Sequence, residues 1–456
     1  MSDVCGVKSE IFSNFQLAVP LIISYSAQII ITLINTIMMG YLGVEYLAAG
    51  GLAVIIYITC FLSCIGLNQG VTVYIAQAYP NSNFEEIGKL VSNGIYLSII
   101  SSLLFMFVLW NIMGWLSHLF ANQNTVYYAN EYLHAVLWGF LPALIFSIFK
   151  DFFAAISKPY ITSNISLIMI PITFILNYGI IYGRWGLPKL GLIGIGWSTT
   201  FVSYLMLTTV ICYILFVKSF QKFHFLQHLL QININIVCKL VTLGFPVAVM
   251  FGLQIGILAV SSFVMGYLGT KELAAAQILN QCLDIAFIIP LGISLATNVR
   301  VGYSYGEKNI TKITTASHAG LTLTILCVIT IGLLFCIFGK DLTQVFLGFG
   351  NNKDALTLNL AVNLLLIGAF YQFFRAVQVV LNATLRGLED TLIPMFIGVL
   401  CYWGIGIGFG MITVFYIKLN VIYFWVCLSI GSLCAVIILI YRLNYIKRKL
   451  GASFRT

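Results

Sequence analysis

Two ionisable side chains stand where apolar runs should exclude them. Asp284 lies in ILNQCLDIAFIIP and Arg375 in YQFFRAVQVVLNATLRG, each well inside its stretch. A charge at the centre of a membrane helix costs roughly 2.5 to 3.5 kcal/mol on insertion scales, so it faces a partner or a polar cavity. Polar neighbours widen both sites. Gln277, Asn280 and Gln281 precede Asp284 by one to two turns, and Tyr371, Gln372, Gln378 and Asn382 flank Arg375 at helical spacing. A face of that kind suits a substrate cavity, although amides inside bundles also simply bond to neighbouring helices.

The remaining candidates are weaker. Asp151, in SIFKDFFAAISKP, sits between Lys150 and Lys158, which places it at the cytoplasmic end of a span, with a surface salt bridge as its default reading and coupling as the alternative. Cys60 and Cys64, like His224 and His228, are spaced i, i+4, but neither pair has a third ligand, so the expectation is no metal and no cofactor. Aromatic residues such as Tyr178 suit flat organic molecules, though most of so many rings must pack or sit at interfaces. With no G-x-x-x-x-G-K-[ST] loop, no H-E-x-x-H and no convincing G-x-S-x-G, neither a nucleotide-driven pump nor an intramembrane enzyme is expected.

The elements that position these residues are membrane helices. Of the 456 residues, 60% are hydrophobic and only 8% charged, against roughly a quarter charged in soluble domains, and the mean hydropathy is +1.00. Apolar runs of about 20 residues match the hydrocarbon core of a bilayer. They are expected at about 15–39, 47–76, 90–114, 130–153, 160–183, 190–217, 237–264, 272–299, 316–339, 358–383, 392–416 and 420–443, which makes twelve helices. The reading is an all-α membrane protein with an amino-terminal lobe at 1–217, a cytoplasmic connector at 218–236, a carboxy-terminal lobe at 237–443 and a basic tail at 444–456.

Net charge of +9 would suit an acidic partner, but here it follows topology. Sixteen of the 23 Lys and Arg fall in one set of alternating loops and six in the other, with Arg375 inside a span. Both termini are therefore expected in the cytoplasm of a multi-pass cell-membrane protein, with no nucleic acid as partner. MSDVCGVKSEIFSNF is polar and runs into a full-length span, so no cleavable leader is expected.

The chain also repeats itself. MGYLGVEYLAA at 39–49 and MGYLGTKELAA at 265–275 agree at eight of eleven positions, 226 residues apart. At the same offset Leu17, Pro20, Gln28, Gly66, Tyr79 and Asn83 fall on Leu243, Pro246, Gln254, Gly292, Tyr305 and Asn309. An even number of spans per half makes the repeat parallel, a known transporter plan.

These stretches, with LNYGIIYGRWGLPKLGLIGIGWSTT (176–200), NVRVGYSYGE (298–307) and YQFFRAVQVVLNATLRGLEDTLIP (371–394), resemble the multidrug and toxic compound extrusion (MATE) family over nearly the whole chain. The resemblance implies two six-helix lobes facing each other in a V, and export of small organic molecules driven by sodium or proton gradients. Where that family's cation-coupled members carry acids in spans one, seven and ten, this chain has Asn35, Gln254 and Arg375. Amides offer carbonyls but no titratable site or formal charge. Coupling is therefore expected to fall to Asp284 with Arg375, with Asp151 as the remaining acid, if those two are more than a neutral structural pair. The expected function is an antiporter-type exporter, expected to be monomeric, carrying a cationic drug or an organic anion, with H+ or Na+ as coupling ion. A lipid-precursor flippase of the same superfamily, or an uncoupled channel-like relative, is the alternative. Gln28 and Tyr178 complete the expected cavity residues.

Overall fold

The computed structural model describes residues 2–116, 123–186, 188–228, 231–347, 355–418 and 420–454; Lys353 and Arg455 of the loop count lie outside them. The helices are α1 Ser2–Leu42, α2 Val44–Ala78, α3 Phe84–Leu116, α4 Gln123–Leu137, α5 Phe140–Ala155, α6 Tyr160–Tyr182 and α7 Gly191–Phe216. After a 3-10 turn at Lys218–Phe223 come α8 Phe225–His228, α9 Ile234–Leu268, α10 Thr270–Gly306, α11 Ile310–Leu347 and α12 Ala355–Gly387. The last span but one is composite, with α13 Leu392–Gly398, a π-helical stretch Val399–Phe409 and α14 Gly410–Phe415, followed by α15 Val421–Ser453.

Eleven of these helices or composites are long and apolar enough to cross a bilayer, and α4 with α5, bent by 50° at the break, makes twelve if the pair is one span. Sequence alone predicts a continuous helix at the bend. Pro142 cannot donate to the carbonyl of Trp138, which opens the ladder. Helix α7 presses into the gap, so that a β-carbon on Gly139 would stand 2.9 Å from Thr200 Cα. The Thr200 hydroxyl donates to the carbonyl of Ala135 at 2.7 Å, satisfying an acceptor beside the break.

The chain divides into two compact units, one of residues 23–248 and one of residues 1–22 with 249–456. Both divisions fall inside long helices, two residues beyond Pro20 of α1 and Pro246 of α9. In the unit of residues 23–248, α9 begins against α2, where Gly244 abuts the Leu67 carbonyl and Leu240 abuts Gly70. In the other unit, α1 begins against α10. Ala18 and Ile22 meet Gly292, Asn14 Nδ2 donates to Thr297 Oγ1 at 3.1 Å, and Glu10 pairs with Arg300.

The repeated residues have local reasons. Gly43 and Gly269, equivalent in the two copies, have φ of +134° and +157° with ψ of 162° and 168°. Almost only glycine occupies that region, and each starts the next helix. Asn83 and Asn309 cap α3 and α11, their Oδ1 atoms accepting from the amides of Glu86 at 3.3 Å and Lys312 at 3.1 Å.

The connector packs on the unit of residues 23–248. Phe220 and Phe223 are buried, with Phe223 edge-on to Phe152 at 5.1 Å, and Asn93 Oδ1 accepts from the Asn233 amide at 2.9 Å. Each such buried ring contributes roughly 1.5 to 3 kcal/mol.

In the other unit, α10 and α12 run side by side in the same direction. Gly368 lies against Leu279, and Gly387 lies against Asn298 nineteen residues further along each helix, a shared length of about 28 Å at 1.5 Å per residue. The glycines of the composite span let α15 approach closely, Gly431 packing on Gly406. The π-helical turn there carries Tyr402 and Trp403 toward α9, with Trp403 against Gly256.

Candidate functional site

Along α10, Gln277, Gln281 and Asp284 recur at intervals of four and three and share one open face, with the Asp284 side chain 47% exposed. An acid and two amides are costly against hydrocarbon at that depth, which suits the face to a polar opening. Gln277 Nε2 is 3.4 Å from Ser262 Oγ of α9. One turn inward, Arg375 of α12 is 11% exposed and holds its Nη1 3.7 Å from Asp284 Oδ1. That is an ion pair beyond hydrogen-bond reach. The guanidinium carbon lies 3.9 Å from the centroid of the Phe287 ring, a cation–π contact.

Arg375 also lines a recess with Gln254, Ile257, Leu258, Tyr371 and Tyr402. It encloses about 10 Å3, room for about one water. Tyr371 is fixed from behind by Trp425, edge-on at 5.7 Å. The structure thus brings together Gln254, Tyr371, Arg375 and Asp284, with Gln277 and Gln281 on the approach. It separates them from Asn280, Gln372, Gln378 and Asn382, which are buried among packed helices. The polar face expected along α12 is split, because the helix is covered on more than one side and 3.6-residue periodicity does not say by what.

In the unit of residues 23–248, Asn35 is buried and both ends of its amide are occupied. Oδ1 accepts from Asn177 Nδ2 at 2.7 Å, and Nδ2 donates to Thr199 Oγ1 at 3.2 Å. Thr199 donates in turn to the Ile195 carbonyl at 2.9 Å. The cluster is neutral, with no carboxylate in it, and the buried Asn177 Oδ1 is its spare acceptor. Gln28 and Tyr178 are exposed, and Tyr178 packs at 5.1 Å on Tyr182 and 6.1 Å on Trp185.

Asp151 corrects the sequence reading. It is buried, 6% exposed, and not at the surface. Its neighbouring lysines lie over rings, Lys150 over Tyr25 at 4.0 Å and Lys158 over Phe220 at 5.1 Å. His228 Nδ1 is 3.3 Å from Gln231 Oε1, and no group of metal-binding side chains occurs among the described residues.

Four partners escaped the sequence: Asn177, Thr199, Phe287 and Tyr402. Phe287 carried a signal, as the repeat partner of Phe61. The others are brought in by packing across long separations, 142 and 164 residues in the case of Asn35.

A polytopic helical protein with two parallel repeats, intramembrane charges and a polar face opening from mid-span belongs to the class of membrane transporters. The MatE family model matches residues 20–179 and 246–412, the two matches starting 226 residues apart as the repeat does. The chain belongs to the MatE family, whose members are transporters and not enzymes. It is 30% identical to a probable multidrug resistance protein NorM of Synechocystis, covering 97% of this chain and 96% of the relative. It is 29% identical to another of that name from Pseudomonas putida, covering 98% and 97%. The fold matches the crystal structure of the Vibrio cholerae MATE transporter VcmN in the bent form, with a TM-score of 0.86 at 15% identity over 98% of this chain and 99% of that one.

Proposed function

We propose that this protein is a monomeric secondary active exporter of small organic molecules in the cell membrane, with both termini cytoplasmic, energised by the ion gradients or potential across that membrane. Multidrug resistance is named for its relatives, and family membership supports an exporter here. The observation that carries the coupling reading is the Asp284–Arg375 pair. It is loose at 3.7 Å, half open on the acid side and set in a membrane helix. A carboxylate so placed can hold Arg375, or leave it and take a proton or cation from the opening.

The three positions where the cation-coupled branch is expected to carry acids do not offer that chemistry. Asn35 is tied to Asn177 and Thr199, Gln254 is neutral, and Arg375 repels cations. Asp284 is therefore the coupling acid in this account. The uneven loop charge supports the orientation.

The test is transport in reconstituted vesicles, with a cationic dye and an organic anion followed in parallel while a pH, sodium or electrical gradient is imposed. Flux that rises with a gradient in the natural protein and loses that dependence in Asp284→Asn supports the reading. Flux indifferent to every gradient refutes it.

A further inference from the structure

Arg375 offers more than Asp284 uses. Its guanidinium is almost enclosed, lies over the Phe287 ring at 3.9 Å, and stands beyond hydrogen-bond distance of Asp284. A planar fork of N–H donors in a site of low polarity matches a carboxylate better than any other common group, through two parallel charge-assisted bonds. The walls beside it are the rings of Tyr371 and Tyr402 with Ile257 and Leu258, and the amide of Gln254 supplies a further donor. Asp284 approaches the guanidinium from the open side, whose face continues through Gln281 and Gln277.

We propose that Arg375 is the recognition point for the carboxylate of an aromatic organic anion, and that Asp284 is an internal carboxylate which this ligand displaces. The proposal rests on the exporter reading and names its substrate class. The recess is now large enough for about one water, so an aromatic anion enters only as the side chains around Arg375 part, with Asp284 moving into the opening it already half occupies. The Phe287 ring stays against the guanidinium whether Asp284 or the ligand is its partner. An anion loaded from the cytoplasm would also leave in the direction favoured by an inside-negative potential.

The experiment measures binding, without a gradient, to the purified full-length protein in nanodiscs. The probes are 2-naphthoate and its neutral isostere 2-naphthamide. The natural protein is expected to bind naphthoate at least tenfold more tightly than naphthamide. Asp284→Asn, which removes the internal competitor, should tighten naphthoate binding about tenfold and widen its preference over naphthamide. Arg375→Gln should remove the preference for the anion, and Arg375→Lys should restore part of it. Equal affinity for the two probes in the natural protein overturns the proposal, as does naphthoate binding that is unchanged or weaker in Asp284→Asn. That variant keeps the test decisive should Arg375→Gln fail to fold. Gradient-driven export of a cationic dye combined with no preference for naphthoate would reject the anion site and leave the exporter reading standing; naphthoate preference without gradient-driven flux would do the reverse.

Discussion

Asp284→Asn, Arg375→Gln and the double variant form a thermodynamic cycle that isolates what the pair contributes to the folded state. The groups are 3.7 Å apart. Two unit charges at about 4 Å attract by roughly 4 kcal/mol at an effective dielectric of 20 and by about 1 kcal/mol in water. Arg375 belongs near the first limit and the half-exposed Asp284 nearer the second, so a coupling of about 2 kcal/mol is expected. Of the single changes, Asp284→Asn should be the more destabilising, because it leaves a nearly enclosed guanidinium with no counter-charge. Arg375→Gln leaves a carboxylate that reaches the opening, and should be milder. The assay is unfolding of the four proteins by titration with SDS in mixed micelles, followed by tryptophan fluorescence. Additivity within about 0.5 kcal/mol, the range found for independent sites, would show that the two charges do not sense each other, and the coupling argument would fail with it.

The remaining predictions concern the scaffold. Gly43→Ala and Gly269→Ala each force a side chain into backbone that almost only glycine adopts, and each should lower stability by about 1 to 3 kcal/mol in the same titration. Thr200→Val removes the hydroxyl that satisfies the Ala135 carbonyl at the bend. A loss of about 1 to 3 kcal/mol is expected, whereas Thr200→Ser should be nearly silent. Gly244→Val drives a side chain into the Leu67 carbonyl and should sharply reduce the yield of monodisperse protein, while Gly114→Val, with open space around its Cα, should not.

Most of the fold was legible because its signals are local. Apolar run length located every span, and the fixed offset of 226 gave the duplication, with Gly43, Gly269, Asn83 and Asn309 repeated for reasons of backbone geometry and capping. The bend between α4 and α5 was only half legible. Gly139 and Pro142 stand in the sequence, but the hydrogen bond that Thr200 donates to the Ala135 carbonyl depends on α7 lying against the break. The division of the compact units within α1 and α9 depends on packing that no local pattern encodes.

The candidate site follows the same rule. Asp284 and Arg375 could be matched from sequence because they are mid-span charges of opposite sign and burial demands a partner. The partners of Asn35 could not, since Asn177 and Thr199 are ordinary polar residues until packing brings them within hydrogen-bond reach. The burial of Asp151 was not legible, because flanking lysines are a surface signal and nothing local shows that the end of α5 is covered.

The central claim is that transport draws on a transmembrane gradient through Asp284. The most direct measurement is the initial rate of substrate flux in vesicles with and without an imposed gradient, in the natural protein and in Asp284→Asn, each shown to be folded and correctly inserted. The account predicts a rate that increases with the gradient in the natural protein and a rate independent of it in the variant. Equal gradient dependence in both proteins would contradict it.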